Sequence, residues 1–511
     1  MVSNSTEPAA GGDRSWLLST DHKRIALLHL GTLAALLVVG SALALALAYG
    51  VWRPESVQNQ IEIHTNLLAA HGVVMTFLVA LPAIPLTLGT FVLPLMLGLP
   101  NLPFPRLART GLWIYCAGAA LALGALMTRG KVRTAWTFAE AYDPSATGTS
   151  LLWMMSGALL VAVAGLFLGL NVIVSIHRLR SQDPIRVRLP VLAWAAYAAS
   201  IIAVLVPVPL ALALGISVAE RTIGVGIFNA KHGGDPLLFQ HLFWLYAHPA
   251  IFGSMLWAIG VAGELLAVHA RRPLFGYNIL APLLFSAGFL AIVSWGTHLV
   301  GAGISDRASA EYSLVALLSL VPVILLIPNW LATLWRGSIA LTAPMILALS
   351  IVVNLSIWIA TTLALEVLSI GSWLRGTEFD VASLHYGLVG VTLTAFLAGL
   401  LHWWPRLTGR LYEPTLARAG AVALFVGVNM TFIAGLLAGL HGDRLGFDLS
   451  PSGADTVVAV GSSLLVGSLL LLGVVLLRSL RSGTPAPSNP WEATTLEWNT
   501  ATPSTELVGE S

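Results

Sequence analysis

Twelve apolar runs divide the chain, at about 25–50, 65–97, 108–127, 148–176, 188–215, 237–268, 275–301, 309–334, 340–366, 379–402, 413–440 and 454–478. A helix needs roughly 20 apolar residues to cross the hydrocarbon of a bilayer. The longer runs leave room for tilt or for ends that reach the headgroups. The connectors are short and polar. The pattern predicts an all-α, polytopic membrane protein of twelve transmembrane helices. Residues 1–18 form a polar N-terminal tail and 19–480 one transmembrane domain. Residues 481–511, rich in Pro, Thr, Ser and Glu, read as a disordered C-terminal tail.

Composition sharpens the class. Of the 511 residues, 57% are hydrophobic and 10% are charged, too few charges for a soluble domain. The net charge of +2 is spread over short loops, so nucleic acid is not an expected partner and the lipid bilayer is. The single cysteine excludes an intramolecular disulfide and a cysteine-cluster metal site. The opening MVSNSTEPAAGGDRSW lacks the basic-then-apolar layout of a signal peptide, so the first run is expected to stay as a span. With the N-terminus inside, sixteen Lys and Arg fall in inner connections and nine in outer ones. That bias predicts both termini on the cytoplasmic side.

Five histidines, His71, His241, His248, His298 and His385, lie at membrane depth, where an imidazole needs a partner, a metal or a cavity. Each could simply bond a helix carbonyl or hydroxyl. His71, in NLLAAHGVVMTF, and His385, in DVASLHYGLVG, lie at matched depth on different helices. Two such imidazoles can ligate one haem iron from both sides, which makes an electron carrier. Ala69, Ala70 and Gly72 would let a flat macrocycle approach. His241 and His248, seven residues apart in FQHLFWLYAHPAIF, and His298 in SWGTHLV suggest a second metal site. Copper usually takes a third strong ligand, so that set is incomplete.

Several motifs carry a family resemblance. STDHKRIALLH, HGVVMTF, VLPLMLGLPNLPFPR, GGDPLLFQHLFWLYAHP, IPNWLATLW, HWWPRLTG and FVGVNMTF follow the order seen in subunit I of the haem–copper oxidases, cytochrome c oxidase type. The chain resembles that family over about residues 19–480. The resemblance makes His71 and His385 the ligands of a low-spin haem, and His248 and His298 two of three copper ligands. It implies a multi-pass protein of the prokaryotic inner (plasma) membrane, with a subunit II-like or other redox partner. A quinol or a cytochrome c-like protein would be the donor.

The departures are concentrated. The high-spin haem ligand falls at Ser383, the third copper histidine at Thr297, and the tyrosine linked to the copper ligand at Phe252. Proton-path positions fall at Asn101, Ala250 and Leu326, whose side chains do not titrate near neutral pH. A histidine–aspartate pair that holds magnesium and haem propionates falls at Arg375 and Gly376. Ala48 stands where haem-A oxidases have an arginine that contacts the haem formyl, which favours haem b. Arg444 falls near a propionate-binding arginine pair, and Trp244 keeps a packing position. These departures lead to the expectation of a b-type cytochrome subunit that relays electrons through one low-spin haem. It would lack copper, a second haem and its own oxygen-reducing centre. Two other readings stay open: an active terminal cytochrome c or quinol oxidase with atypical ligands, and a haem-free structural or assembly subunit.

Overall fold

The computed structural model describes residues 16–52, 61–127, 137–138, 149–182, 188–442 and 453–499. Twelve helices in it are long and apolar enough to span a membrane: α1 His22–Ala48, α2 Asn66–Met96, α3 Pro105–Leu126, α4 Thr149–Leu179, α5 Val191–Ile223, α6 Pro236–His269, α7 Tyr277–Leu299, α8 Asp306–Leu334, α9 Ala343–Glu366, α10 Glu378–Thr408, α11 Pro414–Leu440 and α12 Gly453–Ser482. The apolar runs thus correspond to spans one for one.

Three helices form the centre. The most apolar stretch of α2, α6 and α10 is 67%, 89% and 83% buried, against 22–56% in the other nine. A helix buried on every face needs apolar residues all round. These three carry His71, His248 and His385, so every candidate ligand except His298 sits on a central helix.

Close approach between outer helices depends on small residues, as expected where lipid gives no hydrophobic drive to helix association. A Cβ on Gly118 of α3 would lie 2.8 Å from the carbonyl oxygen of Gly157 in α4, and a Cβ on Gly157 would lie 2.6 Å from that of Gly118. Gly427 of α11 likewise meets the backbone of Leu465 in α12.

Two central helices are locally unwound. In α2, residues Val74–Ala80 and Ala83–Gly89 are π-helical. Pro82 and Pro85 lack the N–H that a regular α-ladder needs there. In α10, Tyr386–Leu393 is π-helical and begins directly after His385. Thr392 and Thr394 donate their hydroxyls to the carbonyls of Gly387 and Val389, five residues back. Asn354 of α9 donates to the Gly390 carbonyl at 2.9 Å. Short π segments of this kind recur at functional sites.

The C-terminal expectation needs correction. Residues 483–499 are packed against the end of the bundle at which α6 and α10 finish. Leu411 N donates to Thr484 O and Ala486 N to Gly409 O, each at 2.9 Å. Trp491 donates its indole N–H to the His402 carbonyl at 2.8 Å, and Glu497 and Trp498 are buried. Composition in Pro, Thr and Ser suggested disorder, but two tryptophans outweigh it by burying large apolar area.

Candidate functional site

His71 and His385 meet across the centre of the bundle. Their rings are 6.5 Å apart between centroids and within 12° of parallel. His71 Nδ1 donates to the Gly40 carbonyl of α1 at 3.1 Å, and His385 Nδ1 donates to the Val381 carbonyl at 2.8 Å. Carbonyls accept only, so each ring keeps its proton on Nδ1 and presents Nε2 as a lone-pair donor. This is how metal-binding histidines are usually oriented. Ala69 and Ala70, buried beside His71, keep that wall smooth. The donor set fits a haem iron.

A second histidine pair lies between α6 and α7. His248 Nδ1 is 2.9 Å from His298 Nε2, and His248 Nε2 is 2.9 Å from the Ser294 hydroxyl. Trp244 stacks on His298 with centroids 3.6 Å apart and planes 8° from parallel. Two nitrogens at this separation can bind one ion through bonds of about 2 Å. Among the described residues no group of three His, Cys, Asp or Glu is placed to hold a metal. The donors therefore supply two of the three strong ligands that copper chemistry usually takes. His241 does not join them. Its Nδ1 bonds the Leu237 carbonyl at 2.7 Å and its ring packs on Trp295.

Thr297 points elsewhere. Its hydroxyl donates to Glu366, whose Oε2 also pairs with Arg375 at 3.1 Å. Arg375 further donates to Thr297 Oγ1 at 3.2 Å and to the Leu365 carbonyl at 3.0 Å. A largely buried ion pair thus stands beside His298. Glu366 escaped the sequence reading because a lone carboxylate at a span end looks like a solvated one.

The remaining family positions add no imidazole to either histidine pair. The Ser383 hydroxyl lies 2.9 Å from the Thr361 hydroxyl and is a poor iron ligand. The residues here do not fit a histidine-ligated second haem. Phe252 packs on His248 at 4.9 Å and on Trp358 at 5.6 Å, with no phenolic oxygen. Ala250 lines an apolar cavity of about 80 Å³ with Tyr246, Trp257, Pro85 and Gly165. Asn101, in the loop after α2, donates to the Thr20 carbonyl at 3.1 Å and caps Leu102 N at 2.8 Å. Leu326 is buried in α8 and Ala48 in α1. Gly376 has φ of 73°, and its N–H donates to Asp380 at 3.2 Å. Arg444 lies outside the described residues.

Residues 24–444 match the family model "Cytochrome C and Quinol oxidase polypeptide I". Cytochrome c oxidase subunit 1 of a Synechocystis species is 31% identical over 94% of this chain and 88% of its own length. That of Bacillus subtilis is 27% identical over 99% and 82%. An alternative cytochrome c oxidase subunit 1 from Bradyrhizobium diazoefficiens is 28% identical over 95% and 87%. A heme-copper terminal oxidase dimer solved by cryo-EM aligns with a TM-score of 0.75, covering 91% of this chain and 85% of that one. At 17% identity that likeness shows the fold. The relatives are named as oxidase subunits, which corrects the expectation of an electron relay without an oxygen-reducing centre. Lost ligands at single positions weigh less than similarity over the whole chain. The chain is a multi-pass membrane protein and belongs to the cytochrome c and quinol oxidase polypeptide I family.

Proposed function

We propose that this chain is subunit I of a terminal oxidase, reducing oxygen with electrons from cytochrome c or a quinol through atypical ligands at its second metal site. The observation that carries this reading is similarity over nearly the full chain to proteins named as cytochrome c oxidase subunit 1. His71 and His385 would hold one low-spin haem, which would supply one-electron transfer. The resemblance puts Ala48 where an arginine would contact a haem formyl, and its lack of a cation favours haem b. Gly40 and Val381 fix the two imidazoles in the ligating tautomer through their carbonyls. His248 and His298 would hold the second metal, with Ser294 and Trp244 orienting the two rings.

No step is assigned through a second haem, because Ser383 and Thr361 bond to each other. The Lys and Arg bias supports both termini on the cytoplasmic side. A subunit II-like protein would deliver electrons from the opposite face. Oxygen uptake by the purified complex, supplied with a reduced donor, tests the reading. Uptake that His248→Ala abolishes supports it. A complex whose haem is reducible but which consumes no oxygen overturns it.

A further inference from the structure

Directly after His385 the chain leaves the α-helical ladder, and Tyr386–Leu393 is π-helical. A π turn holds more residues than an α turn, so groups that an α-ladder would pair fall out of register. Buried carbonyls need donors. Three in this segment take one from a side chain: Gly387 from Thr392, Val389 from Thr394, and Gly390 from Asn354. The two threonines belong to the same helix. Asn354 comes from α9 and is one member of a longer network.

Asn354 is fully buried near the middle of its span, where an amide is costly unless its polar atoms find partners. The Gly390 carbonyl can only accept, so Asn354 turns Nδ2 toward it, at 2.9 Å. Asn354 Oδ1 then accepts from Asn429 Nδ2 of α11 at 3.2 Å. Asn429 Nδ2 also donates to the Phe425 carbonyl at 2.9 Å, which leaves its Oδ1 to accept from the Tyr386 hydroxyl at 3.1 Å. Donation therefore runs one way, from Tyr386 through two amides to Gly390. Both ends of the network lie in the π segment, at its first and fifth residues. A Cβ at Gly390 would lie 3.2 Å from both Asn354 Cβ and Tyr386 Cδ1, so glycine is what allows this approach.

Asparagines that bond across membrane helices commonly do no more than hold those helices together. Here the same elements also bear on His385. Phe432 follows Asn429 by three residues and so shares its face of α11. Its ring packs on His385 at 5.0 Å and meets Tyr386 edge-on at 5.8 Å. The bond from His385 Nδ1 to the Val381 carbonyl fixes one edge of the imidazole and leaves its plane free to tilt. Phe432 and the clamped backbone after His385 remove that freedom, and the plane stands 12° from that of His71. We infer that Asn354, Asn429 and Tyr386 are positioning residues for His385: by clamping the π segment they keep its imidazole parallel to that of His71. The inference deepens the proposed function and rests on its assignment of these two histidines to one low-spin haem. The three residues act through His385 and supply no ligand.

Electron paramagnetic resonance of the oxidised, purified complex reads this angle. The highest g value of a low-spin ferric haem rises as its two axial imidazole planes turn away from parallel. Asn354→Leu and Asn429→Leu remove the amides at similar volume, and Tyr386→Phe removes one hydroxyl while keeping the ring on Phe432. Each should raise the highest g value, Tyr386→Phe least, with haem content per chain as in the unsubstituted protein. Gly157→Ala, which strains a crossing of outer helices, should leave the signal in place, so a shift cannot come from lost stability alone. If a leucine variant does not assemble or loses its haem, Tyr386→Phe decides. A g value unmoved in Tyr386→Phe and in every leucine variant that keeps its haem overturns the inference, and so does an equal shift in Gly157→Ala. Absence of a low-spin signal from the unsubstituted complex would overturn the haem assignment and the inference with it. The measurement needs no turnover, so a complex that shows the shifts but takes up no oxygen would overturn the functional reading alone.

Discussion

His71 and His385 face one another 6.5 Å apart with each Nδ1 engaged by a backbone carbonyl. Three helices set this arrangement, because the carbonyl that orients His71 belongs to Gly40 on α1. A Cβ at Gly40 would collide with the side chain of Met75, so the glycine also lets α1 seat against α2.

Replacing either ligand should abolish a low-spin haem spectrum. His71→Ala or His385→Ala removes one ligand and leaves the other imidazole in apolar surroundings, where an unsatisfied polar group costs about 1–3 kcal/mol. His248→Ala touches the other pair and should keep the spectrum. Optical spectra with pyridine haemochrome quantitation check this. Equal haem loss in all three variants would mean that the two histidine pairs serve one site.

Arg375→Ala should be far more damaging than a change at an exposed arginine. It leaves Glu366, hydrogen-bonded to Thr297 beside His298, without its cation. Breaking a buried pair by removing one partner costs about 3–5 kcal/mol. Arg307→Ala, which opens an exposed pair with Glu311, should cost under about 1 kcal/mol. Thermal unfolding of the detergent-solubilised protein ranks the two, and similar losses would show that the Glu366 pair is effectively solvated.

Gly157→Ala tests the helix crossing of α3 and α4. The added methyl meets the Gly118 carbonyl at 2.6 Å and Ala122 Cβ at 2.9 Å, and backbone cannot rotate away as a side chain can. Overpacking of this kind costs about 1–3 kcal/mol. Gly165→Ala on the same helix meets nothing within 4 Å and serves as the control. If both variants unfold at the same temperature, the two backbones do not pack closely at this crossing.

The spans were legible in the chain because backbone groups in hydrocarbon must bond within a helix, so length and apolarity settle the matter. The His71–His385 pair was legible because an imidazole at membrane depth is conspicuous and two of them lay at one level. What the linear pattern hid was tertiary. The partnership of His248 with Ser294, and of Thr297 with Glu366 and Arg375, joins residues 46 to 78 positions apart. The π turns after His71 and His385 rotate the following face, so helical periodicity misplaces what lies beyond them. Function is less legible: the departures at single ligand positions point away from an oxidase, whereas similarity along the full chain points to one.

The C-terminal segment gives the plainest case of composition misleading, and Trp498 tests it. Residues 483–499 contain enough Pro, Thr and Ser to resemble a linker, and a disordered linker would tolerate any substitution there. In the structure, Trp498 is buried against His402, Glu497 beside it bonds Trp403, and Leu496 reaches the turn at Gly98. Trp498→Ala should therefore behave as a core truncation and cost about 3–5 kcal/mol. Leu496→Ala, at a half-exposed site, should cost less. The segment closes over α6 and α10, so the same variant should speed hydrogen exchange at the turns of both helices around His269 and His402. An unchanged melting temperature, with exchange in α6 and α10 as slow as before, would return residues 483–499 to the status of a tail.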